Sequence, residues 1–94
     1  MPLDIVIFKQ GKEKEYVSID EKLHQLIFSQ DAIKQGRCRE LSKIEDYYLT
    51  DVIFMGKTLT DFVNDLKTLS LSELSPIIKL LEQQEIEKIR ISGD

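Results

Sequence analysis

Hydrophobic residues recur along this chain at two different periods, and the switches between them mark its elements. Leu3-Asp4-Ile5-Val6-Ile7-Phe8-Lys9 is rich in β-branched residues and reads as a strand. Its apolar run is almost unbroken, which predicts cover on both faces. Gln10-Gly11-Lys12 is a turn signal. The stretch Lys14 to Ile19 then alternates, with Tyr16 and Ser18 on one face and Val17 and Ile19 on the other, so the two segments predict a β-hairpin. Asp20 is a good N-cap, and Glu21 puts an acid in the first turn, where the helix dipole favours it. Leu23, Leu26, Ile27 and Ile33 follow near helical spacing, which predicts a helix from about Glu21 to Lys34, closed near Gly36. Leu41, Ile44 and Tyr48 repeat that spacing and predict a shorter helix over about Glu40 to Tyr47.

Val52-Ile53-Phe54-Met55 is an uninterrupted apolar run, as long as Ile5–Phe8, and Gly56 stops it. Four residues are too few for a helix, and the β-branched pair favours a short buried strand. Thr58 or Thr60 can cap what comes next. Leu59, Phe62, Val63, Leu66 and Leu69 form a helical stripe opposite Asp61, Asn64, Asp65, Lys67 and Thr68, so a helix is expected over about Thr58 to Leu69. Pro76 suits the first turn of a further helix, with Ile77, Ile78, Leu80 and Leu81 on its apolar face and an end near Gln84. Ile89 and Ile91 alternate with Lys88, Arg90 and Ser92, the pattern of a one-sided strand. The order β-β-α-α-β-α-α-β predicts an α+β fold. A small, mainly antiparallel sheet, made of the N-terminal hairpin and the C-terminal strand, packs against about four helices.

Composition adds bounds. The 94 residues make one domain with a single small core, and 41% hydrophobic content is too high for a disordered chain. The four-residue apolar run between Asp4 and Lys9 is no secretory h-region, and no run approaches bilayer length, so a cytoplasmic location away from membranes is expected. The net charge of −4, with acids spread along the chain, speaks against nucleic acid and suits a basic protein partner.

Candidate chemistry is sparse. Cys38 lies between Arg37 and Arg39, which can lower its pKa, but it has no second cysteine; an incidental thiol is the plainer reading. His24 is the only histidine; on a helix it is expected as a surface or boundary residue, and neither a triad nor a zinc site is indicated. Asp61 and Asp65 are one turn apart and can share a cation, but a solvated helix face is the plainer reading, since a hard cation needs more oxygen ligands. The four glycines are isolated, without a phosphate loop. No enzyme activity and no cofactor or metal is expected.

Glu45-Asp46-Tyr47-Tyr48, with Asp51 beyond it, stands apart. Tyrosine gives contact area at low entropic cost and is frequent at interfaces. Adjacent tyrosines on a helix point about 100° apart, so both cannot enter one small core. Tyr48 continues the Leu41–Ile44 stripe and is expected inside; Tyr47 and the acids are expected outside, as boundary residues or as a contact patch. Asp46-Tyr47-Tyr48 resembles the motif with which immunity proteins of the colicin-nuclease type dock on their basic nuclease, an acid followed by adjacent tyrosines. That family is all-helical; strands at both ends of this chain direct the resemblance to the wider, often α+β, immunity proteins of contact-dependent inhibition and other polymorphic toxins. It implies a non-catalytic inhibitor that occludes a cognate bacterial toxin, with Glu45, Asp46, Tyr47, Asp51, Asp61 and Asp65 as the partner-binding set. The alternative is a small structural or regulatory adaptor that self-associates through Val52–Met55. Either a monomer or a weak homodimer fits.

Overall fold

A computed structural model describes residues 3–93. Met1, Pro2 and Asp94 lie outside the described residues. The chain folds as an α+β protein. Strands β1 (Leu3–Lys9), β2 (Glu15–Ile19), β3 (Asp51–Met55) and β4 (Ile86–Ser92) form one antiparallel sheet in the order β2-β1-β4-β3. Helices α1 (Glu21–Phe28), α2 (Asp31–Lys34), α3 (Lys57–Thr68) and α4 (Ser75–Leu81), with 3₁₀ turns at Leu41–Ile44 and Ser72–Leu74, complete the architecture. No helix among the described residues is long and apolar enough to cross a membrane.

The alternation of each strand decides which side of the sheet is buried. Leu3, Ile5 and Ile7 of β1, Ile19 of β2, Phe54 of β3, and Ile89 and Ile91 of β4 are all buried, and the register stacks them in rows: Ile5 beside Val17 and Ile91, Ile7 beside Ile89, Phe54 beside Ile89. Ile27, Phe62, Leu66, Leu74, Ile77 and Leu81 from the helical elements close the core. Its aromatic centre is Phe54 against Phe62, with ring centroids 4.4 Å apart and planes at 21°. The other side of the sheet stays open. Val6 and Phe8 are therefore not sandwiched, contrary to what the unbroken run of β1 predicts. Instead Lys14 and Lys88 hold their ammonium groups 5.0 and 5.1 Å from the Phe8 ring, and these lysines give the residue its partial burial.

The helices differ from expectation in ways with local causes. Asp20 caps α1 by accepting from the Leu23 N–H at 2.8 Å. The helix then breaks at Ser29–Gln30 rather than running to Lys34. The Ser29 hydroxyl and the Gln30 side-chain amide both donate to the Leu26 carbonyl at 2.8 Å, the acceptor a continuing helix would give to the Gln30 N–H. The expected helix over Glu40–Tyr47 is only a single 3₁₀ turn. Gly56, at φ +56°, starts α3 one residue earlier than predicted, and neither threonine acts as its N-cap. The last helix ends at Leu81 rather than Gln84. The final strand does return to the first, but as an inner strand: β4 separates β1 from β3.

Candidate functional site

The loop between the 3₁₀ turn at Leu41–Ile44 and β3 is built by backbone capping. Asp46 Oδ1 accepts the Tyr48 N–H at 2.9 Å and the Leu49 N–H at 2.8 Å, an Asx-type turn. The Thr50 N–H donates back to the Asp46 carbonyl at 3.2 Å, and the Thr50 hydroxyl bonds the same oxygen. The Asp46 carboxylate is thus spent on shaping the loop. Glu45 is exposed beside it.

The tyrosine pair is reversed relative to expectation. Tyr48 is 57% exposed, and Leu49, at 81%, is more exposed still. Tyr47 is half-buried, edge-on to His24 at 5.0 Å and to Tyr48 at 5.3 Å. The heptad-like spacing that put Tyr48 inside holds only on a helix, and the helix stops at Ile44. His24, expected as a surface or boundary residue, is instead 7% exposed; its Nε2–H donates to the Ile44 carbonyl at 2.9 Å, and its ring lies 4.6 Å from that of Phe28. It is a satisfied core residue that props Tyr47 from beneath.

Sequence reasoning missed three acids. Burial raises the Tyr47 hydroxyl pKa, and the charges of Glu21, Asp20 and Asp4 raise it further. Carboxylates from β1 and from the start of α1 therefore share the neighbourhood of Tyr47. Asp20 and Glu21 were legible only as a helix cap, and nothing local in the sequence links residues 4 or 20 to 47.

Asp51 is exposed, but its carboxylate is clamped. Arg90 Nε and Nη2 donate to Oδ1 and Oδ2 at 2.9 and 3.0 Å from the adjacent strand, and these bonds hold the carboxyl below its ordinary value of 3.8. A group depressed in the folded state stabilises the fold above its unfolded pKa and loses that contribution as pH falls through the folded one. Wild type should therefore lose more stability than Asp51→Asn between about pH 5 and pH 2, read as the shift in urea midpoint. Equal acid losses would show that the clamp contributes nothing.

Asp61 and Asp65 lie elsewhere, in a polar groove shared with Arg37, Arg39, Glu40, Lys57 and Asn64. Asp61 is 3.9 Å from Lys57. Asp65 Oδ2 accepts the Glu40 and Leu41 N–H groups at 3.0 and 3.1 Å, so it anchors the 3₁₀ turn to α3. Cys38 is fully buried; burial and the Asp65 charge push its thiol pKa up, and Arg37 acts only partly against them, so the flanking arginines do not make it reactive. Among the described residues no group of three or more His, Cys, Asp or Glu could hold a metal ion.

Gly93 ties the C-terminus to the candidate loop. Its N–H donates to the Thr50 carbonyl at 2.8 Å. A Cβ at this position would sit 2.7 Å from the Tyr48 carbonyl oxygen and closer still to that of Tyr47. Gly93→Ala should therefore displace the loop and cost about 1–2 kcal/mol, with the Tyr47 and Tyr48 amide resonances shifting most in a ¹H–¹⁵N spectrum. An unchanged spectrum would show that the close approach is not a constraint.

Compared with known proteins, the chain matches no family model, no curated protein and no solved structure.

Proposed function

We propose that this chain is a non-catalytic protein-binding inhibitor, an immunity protein that neutralises a cognate bacterial toxin by occluding its active site. The observation that carries the reading is the convergence of the charges of Asp4, Asp20 and Glu21 on Tyr47, whose neighbour Tyr48, with Leu49, stands exposed on a capped loop. Exposed Tyr and Leu side chains supply apolar anchors. The surrounding carboxylates supply charge complementary to a basic partner, speed encounter, and can take the places of substrate phosphates in a nuclease site. Capping by Asp46 fixes the loop before binding, which lowers the entropic cost of docking. Within the expected partner set this favours Glu45 and Tyr47 as contact residues, assigns positioning to Asp46 and Asp51, and adds Tyr48 and Leu49.

The test is co-expression with the gene adjacent to this one. Its product should arrest growth alone and be harmless beside this protein. Tyr48→Ala with Leu49→Ala should keep the fold while weakening the complex by about 2 kcal/mol or more, roughly 30-fold. A harmless neighbour, or full protection by the double variant, would remove the reading.

A further inference from the structure

The free edge of β3 is open in a pattern that fits one occupant. Along an antiparallel strand, residues whose N–H and C=O face the neighbour alternate with residues whose groups face away. Two contacts fix the phase. The Thr50 carbonyl accepts from Gly93, at the end of β4, so it faces β4. The Met55 N–H and C=O are both bound to Thr58 Oγ1, at 3.0 and 2.8 Å, so they face away. Counting in twos, Val52 and Phe54 bond β4, and Asp51 and Ile53 turn their backbone groups outward. Neither Asp51 nor Ile53 makes a backbone bond outside the ladder among the described residues. The Thr58 hydroxyl has closed one end of the edge and left a two-residue window.

From this we infer that β3 pairs antiparallel with β3 of a second copy of this chain, about a two-fold axis at Val52, joining two four-stranded sheets into one. In this register Asp51 stands opposite Ile53 of the partner copy, and all four free groups of each window are bonded. Shifting the axis to Ile53 would set Asp51 against Met55, whose groups Thr58 already holds, and would forfeit bonds. The side chains agree with the Val52 axis. Asp51 meets an apolar residue and not a second Asp51, and its charge is already balanced by its own Arg90. Ile53 and Met55, 50% and 57% exposed on the open face, lose water together. The window is self-complementary: about this axis each free N–H or C=O of one copy meets a free C=O or N–H of the other. An interface this short makes a weak, reversible dimer. The inference stands apart from the toxin reading and survives its failure.

Sedimentation velocity of the full chain from micromolar to millimolar concentration should show a reversible monomer–dimer equilibrium. Ile53→Pro should abolish it and keep the circular dichroism spectrum, because that N–H faces away from β4. Val52→Cys should form a covalent dimer under mild oxidation, since directly opposed residues of a non-hydrogen-bonded pair approach to about 4.5 Å. Wild type, with Cys38 buried, should not. A chain that stays monomeric at millimolar concentration overturns the proposal, as does a dimer indifferent to Ile53→Pro. Crosslinking through Ile53→Cys but not Val52→Cys overturns the register. If Ile53→Pro unfolds, the two cysteine variants decide alone.

Discussion

Phe54→Ala is expected to lower the free energy of unfolding by about 3–5 kcal/mol. Phe54 is completely buried, on the strand that forms one edge of the sheet. Its ring stacks on Phe62 of α3, its neighbour on β4 is Ile89, and Lys43 from the 3₁₀ turn covers it with the ammonium 5.8 Å from the ring centre. Sheet, longest helix and 3₁₀ turn therefore meet at one side chain. Truncation removes the transfer energy of a phenyl group and leaves a cavity whose walls belong to three elements, which cannot all relax inward together. Small domains have roughly 5–15 kcal/mol in total, so the variant should be marginal at room temperature. Urea titration followed by tyrosine fluorescence measures this directly. Ile53→Ala, at the preceding residue but facing the open side, should cost well under half as much; similar costs would mean that β3 is not one-sided.

Asp65→Ala should lose about 2–3 kcal/mol, because the variant leaves the Glu40 and Leu41 N–H groups without their acceptor. Those groups begin the 3₁₀ turn that leads into the Asp46 loop, so the loss should loosen the loop as well as the fold. Asp61→Ala supplies the contrast. It lies one helical turn away on the same face, but its partner is a fully solvated lysine, and exposed pairs contribute about 0–1 kcal/mol. Thermal melts of the two variants should separate by several degrees. If Asp61→Ala proves as damaging as Asp65→Ala, the capping role is wrong, and the pair regains the ligand role that its spacing suggested.

That pair shows where sequence reading reaches its limit. Asp61 and Asp65 are equivalent by periodicity, both opposite the apolar stripe of α3. What divides them is a turn 24 and 25 residues upstream, whose amides point at one carboxylate only. The tyrosines fail for a related reason. The positions of Leu41, Ile44 and Tyr48 are consistent with a helix, but helical spacing is informative only while the helix lasts. The Asp46 side chain takes the Tyr48 and Leu49 N–H groups for an Asx turn, and the ring that should have gone in goes out.

Residue order alone determined the four strands, the hairpin, the amphipathic stripe of α3 and the α+β class, because each rests on periodicity and caps within a window of a dozen residues. It also determined that the 45–51 segment is polar and aromatic together. Tertiary structure decided the rest. It inserted the last strand between β1 and β3, placed the charges of Asp4, Asp20 and Glu21 around Tyr47, clamped Asp51 to Arg90, and left β3 at an edge with two residues unpaired. Each of these is a contact between segments distant along the chain, formed because burying one face of every strand and helix admits few mutual arrangements. No local pattern of residues records which arrangement that is.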